Sequence, residues 1–271
     1  MEQLRAAHRL PALLAPVPNL SGGRVQRLLA PGQGADGLLD VTQPPFRADN
    51  SGATDTTAAL QRAIWYARAH YLVVYLPAGR YLVSDTLLGL QTERLDAIDG
   101  TNGYWQQARY VPVALVGSTG NRTARSTIVL APGTFTNASS PQPVVWLWMQ
   151  NHQGGSQPNA NCNQKLESVD IVIGANNPGA MGVRVRGAQG TVVRDVTIYA
   201  GDGLVGLSGG SGSGGAHFDV TVIGGRFGAD LTQTQPGPVL TGITLVNQTC
   251  SALVMAGLQT LTAVGLDITV G

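Results

Sequence analysis

A short strand-like pattern returns at almost fixed spacing through the second half of this chain. Asp170-Ile171-Val172-Ile173, Asp195-Val196-Thr197-Ile198, Asp219-Val220-Thr221-Val222, Gly242-Ile243-Thr244-Leu245 and Asp267-Ile268-Thr269-Val270 start 25, 24, 23 and 25 residues apart. The second and fourth residues of each are apolar, the period-two mark of a strand with one buried face. A unit this short cannot bury that face alone, so it must stack on its neighbours as a solenoid. Leucine-rich repeats have similar periods but need a leucine scaffold that is absent here. The expected fold is all-β, a single-stranded right-handed parallel β-helix. Val196, Val220, Ile243 and Ile268 are expected to form one inward ladder, with Asp195 and Thr197 outward or starting a turn.

Composition agrees with many short strands and tight turns. Charged residues are 12% of the chain, against roughly 25% in an average soluble domain, and glycine fills 36 of 271 positions. The net charge is +1, Lys165 is the only lysine, and the arginines are scattered along the sequence. Nucleic-acid binding needs a concentrated basic face, so that partner is excluded. No apolar run approaches the roughly 20 residues of a membrane-spanning helix, so no membrane partner is expected. Cys162 and Cys250 would lie several rungs apart, with stacked strands about 4.8 Å apart, so two free thiols are expected. Four sequons, at Asn19, Asn121, Asn137 and Asn247, would permit N-glycosylation of a secreted chain. The Leu10–Pro16 stretch is too short and proline-broken for a signal peptide.

Residues 1–40 mix Pro, Gly and Leu without a sustained period and are assigned as an N-terminal arm, with the β-helix domain at 41–271. Asp49–Thr56 is a polar turn rich in helix-capping residues. Leu60, Ala63, Ile64 and Ala67 follow at helical spacing, which predicts a short helix over 57–69. That helix would cover the open end of the coil, where a bare end exposes core and unpaired strand edges. Strands are expected at 72–76 and 81–84, split by a Pro-Ala-Gly turn, and again at 113–116 and 126–130.

Two stretches carry a resemblance. Asn50-Ser51-Gly52-Ala53-Thr54-Asp55-Thr56-Thr57-Ala58-Ala59-Leu60-Gln61, followed by Val74-Tyr75-Leu76-Pro77-Ala78-Gly79-Arg80-Tyr81-Leu82-Val83, resembles the opening of pectate-lyase-like β-helix domains. It departs at Asn50 and Thr56, where that group commonly has aspartates. Gly187-Ala188-Gln189-Gly190-Thr191, Gly209–Gly215 and Gly224-Gly225-Arg226-Phe227-Gly228 resemble, in order and spacing, segments of glycoside hydrolase family 55. That resemblance implies a β-1,3-glucan-cleaving enzyme of two side-by-side β-helices, a polysaccharide substrate, no cofactor and a secreted or cell-surface location. It implies inverting hydrolysis with a glutamic acid donor in the second β-helix, which this chain would pack against. The chain stops at Gly271 inside its own repeat, and is read here as the first half of something longer. After Gly228 the family's next segment is only loosely echoed by Leu231–Gln235, with Gln233 its counterpart.

Gln189 matches the family's glutamine, and its amide can bond sugar hydroxyls as donor and acceptor; it also suits a turn amide tying neighbouring rungs. Gln233 is the second substrate-binding candidate. The catalytic acid is not identified; Asp202 is a candidate carboxyl, though Asp202-Gly203 is also a favoured turn pair. His217 has no Ser/His/Asp or metal-spaced His/Cys partners, so it is read as structural, and no metal site is assigned. Asp170, Asp195 and Asp219 either hold Ca²⁺, as in a lyase, or begin strands and accept turn N–H groups, the reading preferred here. Trp146 and Trp148 alternate with Val145, Leu147 and Met149, and are expected to be buried against the absent second half. A glycan-binding adhesin or tail-spike shaft is the competing function. A polysaccharide lyase is disfavoured by the lack of basic clusters.

Overall fold

The computed structural model describes residues 33–95, 108–119, 124–150, 158–234, 237–256 and 260–271. Its strands stack in parallel into a coil with three faces. The first face starts with Leu38–Asp40, Val73–Leu76, Ala114–Gly117 and Lys165–Glu167. The second starts with Ser51–Asp55, Gly79–Val83, Ser126–Leu130 and Val169–Ile173. From Val192–Gly201 onward one long strand per turn serves both faces, and Ala216–Gly224, Val239–Val246 and Thr262–Thr269 follow it. These two faces together make a 12-stranded sheet. The third face is a separate sheet of Leu87–Leu95, Gln142–Gln150, Ala180–Gly187, Val205–Ser211, Phe227–Asp230 and Ser251–Val254. Ala108–Tyr110 pairs antiparallel with its first strand. The coil begins at Leu38–Asp40, three residues inside the segment assigned to the arm.

Val196, Ile198, Val220, Val222, Ile243 and Leu245 are all buried in one core. Their register corrects the sequence alignment at both ends of the repeat. Val196 stacks on Val220, Val220 on Ile243, and Ile243 on Leu266. Ile268 instead continues the Ile198–Val222–Leu245 ladder, and in the outermost strand it is 44% exposed. Asp170 likewise belongs two residues further along: Ile171 pairs with Ile198.

From Ser168 onward, the described turns share a corner between first and second faces with positive φ. Ser168 (56°), Asp195 (51°), Asp219 (51°), Gly242 (64°) and Gly265 (66°) occupy it. A left-handed residue turns the chain sharply between two strands, and short polar residues or glycine bear it at least cost. Aspartate is one solution among three, so an alignment anchored on Asp slips where Ser or Gly serves.

The helix α1 (Thr57–Ala69) forms over the expected residues. Asp55 accepts the Thr57 N–H (2.9 Å) and hydroxyl at its start, together with the Ser84 hydroxyl. Leu60, Ala63, Ile64 and Ala67 face the core. Lying between Ser51–Asp55 and Val73–Leu76, α1 takes the place of a third-face strand in the first turn. Gln61 accepts the Leu88 N–H (2.7 Å) and donates to the Leu88 carbonyl (3.0 Å), and Arg68 donates to the Leu90 carbonyl (2.7 Å). The helix thereby satisfies part of an edge that would otherwise be left unpaired.

Both cysteines are free thiols. Among the described residues no helix is long and apolar enough to cross a membrane. Asn19 and Asn121 lie outside the described residues, whereas Asn137 and Asn247 are exposed.

Candidate functional site

Two of the ladder aspartates meet a cationic side chain of the chain itself. Among the described residues no group of three or more His, Cys, Asp or Glu side chains could hold a metal. A residue outside the repeat neutralises two of them. Arg125 donates twice to Asp170, from Nε (3.1 Å) and Nη2 (2.8 Å), and from Nη1 to Asp195 (2.7 Å). Its Nη2 also reaches the Asp195 carbonyl (2.7 Å), and the Ser168 hydroxyl donates to Asp195 Oδ2 (2.8 Å). The hydrogen bond to Asp170, outweighing burial, raises the Arg125 pKa further above its already high value. This forked arrangement suits a carboxylate pair on adjacent rungs.

Asp202 is a turn brace. Its Oδ2 accepts the Asn176 N–H (2.8 Å) and its Oδ1 lies 3.4 Å from the Asn177 N–H, one rung back. Gln189 is exposed, at the corner where the third face turns into the first. Its carbonyl accepts the Asn163 N–H (2.9 Å) and its side-chain oxygen the Cys162 thiol (3.4 Å). Gln233 is exposed at the same corner, two turns further along. The fold thus brings the two glutamines to one edge of the coil and leaves Asp202 at another.

His217 faces inward and is fully buried. Its Nε2 accepts the Ser211 N–H (3.2 Å), so that nitrogen carries no proton and the ring is neutral. Desolvation pushes its pKa down to about 4.

The outer surface of the third face gathers residues that look unrelated in sequence. Trp146 and Trp148 point away from the core, as Val145 and Leu147 point into it. The rings stack at 4.7 Å and pack with Leu88 and Leu90, and each is already only 9% exposed. Their burial therefore needs no second half of the protein, contrary to the sequence expectation. Register places Arg184 beside Trp146, then Ser208 beside Arg184, then Asp230 beside Ser208. The Arg184 guanidinium lies 5.0 Å from the Trp146 ring centroid, within cation–π range. Arg186, two residues on in the same strand, lies on the same side. One outward row therefore runs aromatic, basic, hydroxyl, acid along the coil axis, at the parallel-strand spacing of about 4.8 Å.

A three-faced coil of parallel strands is a parallel β-helix. A family model described as "Rhamnogalacturonase A/epimerase, pectate lyase-like" matches residues 45–269, and the chain belongs to that family. Among solved structures, the chain is similar to the Dettilon tailspike protein (gp208) at 15% identity and a TM-score of 0.46, covering 78% of this chain and 33% of that one. PfbA, a surface adhesin of Streptococcus pneumoniae, is 14% identical with a TM-score of 0.42, covering 85% and 62%. ORF18 of Geobacillus virus E2 is 14% identical with a TM-score of 0.36, covering 87% and 49%. The chain spans less than two thirds of the length of each of these. No curated protein matches it.

Proposed function

We propose that this chain is the glycan-holding β-helix of a secreted or cell-surface glycoside hydrolase acting on β-1,3-glucan or a related polysaccharide. The sugar chain lies along the outer third face. The row Trp146–Arg184–Ser208–Asp230 carries this reading, because an extended polymer needs polar contacts repeated along one line. Gln189 and Gln233 flank the same face where its strands end, and add amide contacts at the rim. The β-1,3-glucan class comes from the resemblance of the glycine turns to glycoside hydrolase family 55.

Inverting hydrolysis needs one carboxyl as acid and another as base on the opposite side of the sugar. Among the described residues the outer third face offers one, Asp230, whose Oδ1 accepts the Thr232 N–H (3.0 Å). Asp230 is assigned as one member of the pair. The other comes from a second β-helix packed against this face. The same single carboxyl favours a second reading, glycan binding without cleavage, as in an adhesin or tail-spike shaft.

Reducing-sugar release separates the two. The 271-residue chain should bind laminarin-type glucan without cleaving it, and a longer chain carrying a second β-helix should cleave it with inversion, read by anomeric NMR. Turnover by the short chain would show that its own carboxylates suffice. Binding with no turnover by the longer chain would establish the shaft reading.

A further inference from the structure

Two straight rows run along the outer surface of the second face. Register stacks Leu82 on Val129, Val129 on Val172, Val172 on Tyr199, Tyr199 on Ile223 and Ile223 on Val246. Their chain neighbours, among them Ile171, Ile198, Val222 and Leu245, lie in the core, so these six side chains point outward. Each is at least partly exposed, and Tyr199 is 45% exposed. The apolar row ends at a polar group on both sides, Asp55 beside Leu82 and Thr269 beside Val246. Next to it a second row begins at Arg80, continues through Thr127, Thr197, Thr221 and Thr244, and ends at Asp267. Asp170, the other charge in that row, is neutralised by Arg125. Arg80 and Asp267 are exposed, and neither forms an ion pair with a described residue.

A continuous apolar stripe six rungs long marks a contact surface. The two end charges select its occupant. We propose that a second copy of this chain packs on the second face, antiparallel along the coil axis, about a two-fold axis that runs along the strand at Tyr199. Arg80 lies three steps before the Tyr199 rung and Asp267 three steps after it. The axis therefore sets Arg80 opposite the partner's Asp267, and Asp267 opposite the partner's Arg80. It also lays apolar row on apolar row: Val129 meets the partner's Val246, Val172 meets the partner's Ile223, and Tyr199 meets its own mate. Such a contact is isologous, the commonest form of a homodimer. A copy running parallel would instead gather the arginines at one end and the aspartates at the other. Seven rungs at about 4.8 Å give a strip about 29 Å long and two rows wide. That is small for a protein interface, so the dimer is weak and reversible.

The test is sedimentation equilibrium of the 271-residue chain from micromolar to submillimolar concentration, with each variant confirmed as folded by circular dichroism. The parent should pass from monomer to dimer. Tyr199→Asp should abolish the dimer, because it sets two carboxylates against each other at the axis. Arg80→Glu and Asp267→Lys should each weaken association at least tenfold, since each sets like charges together twice per dimer. An equimolar mixture of those two variants should associate as the parent does, because every new charge then meets its opposite across the axis. A chain that stays monomeric throughout overturns the inference. So does a dimer that survives Tyr199→Asp, which would place the contact elsewhere, as on the bare edge of Thr262–Thr269. A mixture that associates no better than either variant alone overturns the antiparallel register.

Discussion

Gln61 of the capping helix pairs with Leu88 as a neighbouring strand would, one end of its amide accepting the backbone N–H and the other donating to the carbonyl. A parallel coil has to end somewhere, and at its first turn the edge of the third sheet meets a helix that presents no strand backbone. A side-chain amide carries a separate donor and acceptor, as the backbone of a neighbouring strand would. Gln61→Leu should therefore strand a buried N–H and a carbonyl at once. We expect a loss of about 2–6 kcal/mol, read by urea unfolding, at roughly 1–3 kcal/mol for each unmet group. Gln61→Glu should cost at least as much at neutral pH, because it sets a buried carboxylate against the Leu88 carbonyl oxygen.

Inward and outward positions of one strand should respond oppositely to charge. Val220 is fully buried between Val196 and Ile243, while Thr221, the next residue, faces outward. Val220→Asp should abolish soluble folded protein, because it places an unpaired charge in a dry core. Thr221→Asp should leave Tm within a few degrees of the parent.

Acid should weaken the fold through His217. Its folded pKa, about 4, lies below the ordinary 6.5 because burial disfavours the charged ring. Between those values the unfolded chain takes up a proton that the folded chain refuses. Stability from this residue is thus complete above about pH 6.5 and is lost progressively as pH falls toward 4. Tm measured across that window should drop, and His217→Gln should flatten that part of the profile. A profile identical in the variant would assign the acid sensitivity to other groups.

Calcium should not matter while Arg125 is present. Millimolar Ca²⁺ should leave Tm unchanged, because a ligand stabilises only to the extent that it binds. Arg125→Ala should destabilise the fold by leaving Asp170 and Asp195 as neighbouring carboxylates, and Ca²⁺ should then restore part of the loss. A Ca²⁺-dependent rise of several degrees in the unsubstituted chain, lost in Asp195→Asn, would contradict the arginine clamp.

The coil, its inward residues and the capping helix were legible because they follow period and pattern, which local sequence carries. Register was less so. The alignment of Asp170 with Asp195 slipped because the corner requires a left-handed backbone rather than a particular side chain, and Ser168 fills it as well as Asp195 does. The outer row was hidden for a different reason. Trp146, Arg184, Ser208 and Asp230 sit on strands joined by turns of unequal length, so no fixed spacing links them, and only stacking brings them together. Arg125 lies outside the repeats altogether, so the partner of the aspartates could not be read from the pattern that revealed them.

The central claim is that the polysaccharide lies on the third face and not on the second. Two substitutions of equal bulk test it, Ser208→Trp on the outer third face and Thr221→Trp on the outer second face, each confirmed as folded by circular dichroism. Binding of laminarin and of polygalacturonate is then measured for both variants and the parent by affinity electrophoresis. The account predicts that Ser208→Trp loses retardation by the polysaccharide that retards the parent, while Thr221→Trp keeps it. Retention by Ser208→Trp together with loss by Thr221→Trp would place the ligand on the second face and contradict the account.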